Sequence, residues 1–290
     1  MADRSEVTAP SAPHAPDLVR SGKDAAERST RRGRQAFANL DVAAVRIAIG
    51  LIGGLIAAEF VTVSAGAGPG MLVHTTLLGA VAFLSVRPNR APTHRLLLSL
   101  GMLPLVRIVS LAVPAAIIPV QYWYLQIGLA GLEGVLLVLR RLDLTFKDLG
   151  LRRTRVAEAG VVTAIGAALG LPAYLIAGRV DLGAGGGAIG LALAVVIVVV
   201  FVGFFEEILF RGLIQSAGTE LFARGGIVLS VAATTVMYAA SLNPRYVMFM
   251  ALVAVFFGIV TRRSGSIAAP IGAHAALAVV QLVVLPIVLP

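Results

Sequence analysis

Nine apolar segments, most of them close to the length that crosses a lipid bilayer, restrict what this chain can fold into. A helix needs about 20 mostly apolar residues to cross the hydrocarbon core. Hydrophobic residues make up 58% of the sequence and charged residues 13%. Because lipid offers the backbone no hydrogen-bond partners, such segments are expected to be helical. The sequence therefore predicts an all-α, polytopic transmembrane bundle of about eight to nine helices. The predicted spans are 43–64, 70–86, 96–118, 121–139, 158–177, 187–210, 226–242, 246–261 and 266–288.

Basic residues are concentrated in alternate loops between these spans. Membrane proteins keep loops rich in Lys and Arg on the cytoplasmic side, so these loops and the N-terminal tail are predicted to share one face of the bilayer. The predicted location is the cell membrane, crossed several times, with a cytoplasmic N-terminus. The loop residues that carry this prediction are Arg87, Arg90, Arg95, Arg140, Arg141, Lys147, Arg152, Arg153, Arg155, Arg224, Arg262 and Arg263.

The same pattern divides the chain into four regions. We predict a disordered basic cytoplasmic tail (residues 1–41), an N-terminal transmembrane block (42–140), a basic cytoplasmic loop (141–157) and a second transmembrane block (158–290). The basic tail is suited to anionic lipid headgroups. No aromatic-interleaved or folded nucleic-acid-binding module accompanies it, so the lipid bilayer is the predicted partner and nucleic acid is not.

Two adjacent glutamates and an arginine lie at the end of one of the most apolar segments. Glu206 and Glu207 precede Arg211 by five and four residues, so Glu207 and Arg211 share a helix face and can pair, while Glu206 points elsewhere. A charge at the centre of a membrane helix costs roughly 2.5–3.5 kcal/mol, and it is rarely kept without a use. The alternative is a structural charge cluster at an interfacial helix end. The chain has no cysteine, so any catalysis must use oxygen and nitrogen groups.

The segments EEILFRGLIQ and FFGIVTRRSGSIAAPIGAH resemble the CPBP family of intramembrane proteases, which contains the CAAX prenyl endopeptidase and bacterial immunity-type membrane proteases. The resemblance covers about residues 187–284 and implies that residues 158–290 form a CPBP-like core. The family pattern has three motifs: EExxxR, an aromatic residue followed four positions later by His, and His followed four positions later by Asn or Asp. The first motif is complete, and His274 supplies the histidine of the third.

The second and third motifs are degenerate. Tyr238 supplies the aromatic residue, but Leu242 stands where the second motif has histidine, and a shifted alignment would put Ser241 there. Ala278 stands where the third motif has Asn or Asp. A hairpin with its tip at residues 222–226 would place residues 206 and 242 at one level, each about 24 Å from the tip at 1.5 Å per residue.

The resemblance implies that water attacks a peptide bond of a membrane-associated protein. Glu206 would be the base and His274 its partner, with Glu207 and Arg211 as a supporting or orienting pair. Asn243 and Gln281 are candidate substitutes as donors to the oxyanion, although neither replaces a base.

No cofactor is implied by the resemblance. A zinc site built from side chains needs three or four converging ligands. Glu206, Glu207 and His274 would supply such a site only if all three converged, so no metal is assigned to them.

Two alternatives to an active endopeptidase stay open. One is a catalytically inactive pseudoprotease of the same fold that binds or scaffolds membrane partners. The other is an unrelated small transporter, for which the sequence lacks detectable repeat symmetry.

Four further charges lie in predicted spans and are interpreted as interhelical ion pairs or as the lining of a cavity or groove. His74 is interpreted as a histidine satisfied by a backbone carbonyl or interfacial water. The four charges are Arg46, Glu59, Arg107 and Glu133.

Overall fold

The described part of the chain is built from helices joined by short loops. The computed structural model describes residues 41–87, 91–114, 117–180, 182 and 187–289. Within these ranges the chain forms nine helices and no strand, which confirms the predicted fold class. The predicted tail, residues 1–41, lies outside the described residues except for Asp41. The helices are α1 (Val42–Ala65), α2 (Ala67–Val86), α3 (Ala91–Ala112), α4 (Val120–Leu142), α5 (Val156–Ala177), α6 (Gly187–Phe222), α7 (Gly225–Tyr238, followed by a 3-10 turn at Ala239–Ser241), α8 (Pro244–Ser264) and α9 (Ala268–Val288).

Eight of the helices in the described ranges are long and apolar enough to cross a membrane, and α7 is the shorter ninth. The chain is a multi-pass membrane protein. Two boundaries differ clearly from the sequence prediction. Helix α3 ends at Ala112, whereas the predicted span ran to residue 118, because the residue before Pro114 is disfavoured in a helix. Helix α6 continues to Phe222, whereas the predicted span ended at residue 210. Arg211, the first charge beyond residue 210, is buried there and does not end the helix.

Helix α6 departs from regular α-helical geometry on both sides of its glutamates. The segments Val198–Phe204 and Ile208–Gln215 are π-helical, with Phe205–Glu207 between them. Hydrogen bonds from i to i+5 place more residues in each turn, so the chain advances less per residue than in an α-helix. Glu206 therefore lies closer to the tip of the α6–α7 hairpin than regular α-helical geometry predicts.

Helix α9 packs unusually closely against two neighbours. A Cβ atom added at Gly203 on α6 would lie 2.6 Å from the Cβ of Ala275, and one added at Gly166 on α5 would lie 2.1 Å from the carbonyl oxygen of Ala273. Small residues allow such approaches between membrane helices. The glycines therefore fix the position of α9, which carries His274.

Contacts among helix ends bring several basic segments to one end of the bundle. Arg95, at the start of α3, lies 3.4 Å from the carboxylate of Glu220, near the end of α6. The backbone N–H of Ile267 donates to the carbonyl of Gly150 over 2.9 Å, which joins the basic loop after α4 to the start of α9. Each contact therefore places its two segments at the same level of the bundle.

A buried polar cluster joins the first three helices. Arg107 donates to both oxygens of Glu59, one of them over 2.7 Å, and to the Ser110 hydroxyl over 2.8 Å. Nε2 of His74 lies 3.3 Å from the Glu59 carboxylate. The ion-pair interpretation of Glu59 and Arg107 is thus confirmed, whereas the near neighbour of His74 is a carboxylate and not the predicted backbone carbonyl.

Candidate active site

The centre of the candidate site is a buried chain of three side chains from α6 and α9. Oε1 of Glu207 accepts a hydrogen bond from Nη1 of Arg211 over 2.9 Å and lies 2.8 Å from Nδ1 of His274. Glu207 is fully buried, and Arg211 and His274 are each 2% exposed. Arg211 also donates to the carbonyl of Ala254 on α8 over 3.3 Å. The spacing of the first motif predicted this ion pair, and the histidine completes it from a distant segment.

The contact with Glu207 orients the imidazole of His274. When Nδ1 carries the proton and donates it to Glu207, the neutral ring leaves the lone pair of Nε2 available. Nε2 lies 3.9 Å from Oε2 of Glu206. That distance is too long for a direct hydrogen bond and short enough for one water molecule to bond to both atoms.

The hydroxyl of Tyr238 is a site group that the sequence analysis did not identify. It donates to Oε2 of Glu206 over 2.9 Å, whereas we used Tyr238 only as the aromatic residue of the second motif. Phe222, at the end of α6, lies midway in the sequence between Glu206 and Tyr238. If residues had been counted from Phe222 along both arms of the hairpin, Glu206 and Tyr238 would have been paired.

Leu242 occupies a different position from the one expected. Helix α7 ends at Tyr238, and after one 3-10 turn Leu242 adopts a left-handed conformation with φ 54° and is 67% exposed. The prediction that Leu242 and Glu206 lie level assumed α-helical rise in both arms. The π-helical segments shorten the α6 arm, and Tyr238 makes the contact with Glu206 instead.

The remaining predicted positions have defined surroundings. Ala278 is buried one turn after His274 and brings no polar group to its motif position. Asn243 caps α8 by accepting from the N–H of Tyr246 over 3.2 Å and donates to the carbonyl of Ile176 over 2.8 Å. Gln281 is bonded to the Tyr246 hydroxyl, with its amide nitrogen 3.1 Å and its amide oxygen 3.2 Å from that atom. Of the two candidate substitutes, Asn243 is therefore committed to backbone groups, whereas Gln281 belongs to a polar pair of side chains.

These groups line one cavity of about 710 Å³. Its wall contains Glu206, His274, Gln281 and, from the front block, Glu59 and Arg107. A volume of this size is typical of ligand pockets, in which a few polar groups stand in a mainly apolar wall. The aromatic residues of the wall are Trp123, Tyr124, Phe201, Phe205, Phe210, Tyr238 and Tyr246.

The carboxylates of the site do not form a metal-binding cluster. Oε1 of Glu207 already contacts Arg211 and His274, so it does not converge with Glu206 on a common point. No group of three His, Asp or Glu side chains suited to a metal ion occurs among the described residues.

Comparison with known families points to the same part of the chain. Residues 188–280 match the family model described as type II CAAX prenyl endopeptidase Rce1-like. This match supports the resemblance to the CPBP family over the segment that carries the motifs. No curated protein and no solved structure matches the chain. The matched segment includes the whole first motif, the histidine of the third motif and the hydroxyl that contacts Glu206.

Proposed function

We propose that the chain is an intramembrane endopeptidase of the CPBP type that cuts a membrane-associated protein. The match to a protease family supports peptidase chemistry in general. The observation that carries the specific proposal is the position of Glu206 beside His274 in one cavity, with Oε2 and Nε2 separated by 3.9 Å.

In the proposed reaction, a water molecule held between these two atoms loses a proton to Glu206 and its oxygen adds to the peptide carbonyl carbon. The carbonyl electron pair moves onto the oxygen. When the tetrahedral intermediate collapses, the C–N bond breaks and the proton on Glu206 passes to the leaving nitrogen, as expected for a general base that becomes a general acid. Glu207 and Arg211 orient His274 and do not exchange protons with the substrate.

A comparison of membrane proteomes tests this proposal. Cells carrying the wild-type chain should contain a truncated membrane protein that is absent from cells with Glu206→Gln and from a deletion strain. Glu220→Gln is the matched control, because it makes the same change in a carboxylate whose side chain is 42% exposed at the end of α6. Identical fragment patterns for wild type and Glu206→Gln would refute the proposal.

A catalytically inactive binding protein of the same fold is the second candidate function. The observation that favours it is the absence of a polar side chain at Leu242 and Ala278, where the family has a histidine and an Asn or Asp. In this case partner levels would change only in the deletion strain, and purified wild type and Glu206→Gln would bind the same partner equally.

We also propose that the basic end of the bundle, and with it the N-terminus, faces the cytoplasm. The contacts between Arg95 and Glu220 and between Ile267 and Gly150 support a common side for these segments, and the positive-inside rule assigns that side. A reporter active only in the cytoplasm, fused at residue 1, should be active. A silent fusion in an otherwise folded chain would overturn the orientation.

A further inference from the structure

Two side chains in the cavity wall form a polar pair that the reaction above leaves unused. The hydroxyl of Tyr246, in the first turn of α8, and the amide of Gln281, on α9, are bonded to each other, at 3.1 and 3.2 Å for the two amide atoms. Both residues line the cavity that contains Glu206 and His274. Gln281 is 4% exposed, so its amide is shielded from lipid.

Counting hydrogens shows that this pair has donors to spare. The phenol has one polar hydrogen and the primary amide has two. One hydrogen bond between them uses one of the three, whichever group donates. In the described part of the chain no further hydrogen bond is made by the Tyr246 hydroxyl or the Gln281 amide. At least two polar hydrogens therefore remain for a bound molecule.

The position of Tyr246 is held by its surroundings. Asn243 accepts from its backbone N–H over 3.2 Å and fixes the start of α8. Its ring contacts those of Tyr238, at a centroid distance of 5.8 Å, and Phe249, at 6.4 Å. The donors are thus preorganised, which is the property that makes hydrogen-bond donors effective toward charge that develops in a transition state.

The hydroxyl of Tyr238 cannot have this role, because it already donates to Glu206. Tyr238 is instead a positioning residue for the base. Among the tyrosines whose rings meet near Glu206, Tyr246 is the one whose hydroxyl is bonded to a neutral group and not to a carboxylate.

We propose that Tyr246 and Gln281 together bind the oxyanion of the tetrahedral intermediate, in place of the histidine and the Asn or Asp that this chain lacks. This inference rests on the proposed peptidase function. As water adds to the carbonyl carbon, the C=O electron pair moves onto the oxygen, and this oxygen accepts hydrogen bonds from Tyr246 and Gln281. When the C–N bond breaks, the pair of electrons returns to re-form the carbonyl. The donors neither gain nor lose a proton.

Matched tyrosine variants of the full-length protein in lipid vesicles test the assignment. The substrate is a pool of N-acylated peptides with randomised central residues, and cleavage is followed by mass spectrometry. Loss of one oxyanion donor typically lowers kcat by about 100- to 1000-fold. We expect that loss for Tyr246→Phe with KM changed less than about threefold, because the ground-state carbonyl interacts with the donors more weakly than the oxyanion does.

Tyr174→Phe is the control for this experiment. It removes a hydroxyl that donates to the carbonyl of Leu289 over 2.8 Å and does not line the cavity, so kcat should be unchanged. Gln281→Met, which removes one side of the pair but leaves the phenol, should lower kcat by roughly tenfold, the effect of one neutral hydrogen bond. Equal turnover by wild type and Tyr246→Phe would overturn the inference while leaving the proposed function intact.

A second measurement keeps the two proposals separable. The same peptide pool is prepared with a phosphinate in place of the central amide, because this tetrahedral anion stands for the oxyanion intermediate. Wild type should bind the phosphinate pool more tightly than the amide pool, and Tyr246→Phe should lose that preference by roughly 100-fold. If wild type cuts no peptide, the proposed function fails, and the phosphinate preference alone decides whether the pair binds an oxyanion. Absence of the preference in wild type would overturn the inference as well.

Discussion

Removing the guanidinium of Arg211 should destabilise the protein more than any change at an exposed ion pair. In Arg211→Met, the fully buried Glu207 loses its cationic partner and keeps one contact, with Nδ1 of His274 at 2.8 Å. Removing one partner of a buried ion pair typically costs about 3–5 kcal/mol. Because His274 still contacts the carboxylate, we expect a value near the lower end, about 3 kcal/mol.

The double variant isolates the cause of that loss. Glu207→Gln alone leaves the buried Arg211 without a carboxylate, although it keeps the Ala254 carbonyl at 3.3 Å and the rings of Phe210 and Phe257 at 5.8 and 5.4 Å. This variant should cost a similar free energy. Independent effects would sum to about 6 kcal/mol. In the double variant, the introduced glutamine and methionine form a neutral pair of similar volume, so neither residue leaves an unpaired buried charge. Glu207→Gln/Arg211→Met should therefore be no less stable than either single variant.

The assay is the free energy of unfolding in lipid bicelles, measured by steric trapping for wild type, both single variants and the double variant. Glu220→Gln is the matched control, since its side chain is 42% exposed and lies 3.4 Å from Arg95, and an exposed pair contributes about 0–1 kcal/mol. An additive double variant, or a loss from Arg211→Met as small as that of the control, would refute the argument that burial of unpaired charge sets the cost.

Three further predictions concern the site. Tyr238→Phe removes a hydrogen bond to the charged Glu206 and should lower kcat by roughly tenfold to 100-fold, because such bonds contribute about 1.5–3 kcal/mol. Unchanged kinetics would show that the hydroxyl does not position the base. Gly203→Ala should lower the free energy of unfolding by about 1–3 kcal/mol, because the added methyl overpacks α6 against α9. Gly79→Ala, with nothing within 4 Å of the added Cβ, should not lower it. Equal unfolding free energies for the two variants would contradict the close approach. Leu242→His/Ala278→Asn should not raise the rate of cleavage of the peptide pool. Both residues line the cavity, but Leu242 lies beyond the end of α7, and Tyr238 makes the contact with Glu206. A gain would show that the family geometry can be rebuilt there.

The sequence predicted the elements of this fold better than their register. Apolar length and the i, i+4 spacing of Glu207 and Arg211 were enough for the helices and the ion pair. The partner of Glu206 was missed because π-helical turns change the rise of α6, and hydropathy does not report hydrogen-bonding geometry within a helix. The Tyr246–Gln281 contact joins α8 to α9, and one sequence contains no direct signal for such a pairing.

The cavity wall has a consequence for how this kind of protein can be divided or recombined. Residues 188–280 carry the family motifs, yet Trp123 and Tyr124 on α4 and the Glu59–Arg107 pair close part of the same cavity. A minimal chain built from the matched segment would leave Glu206 facing acyl chains. The front helices thus shield Glu206 from lipid. Under the proposed function, exchanging these helices would alter the size and polarity of the side chains that the cavity admits, with every motif residue unchanged.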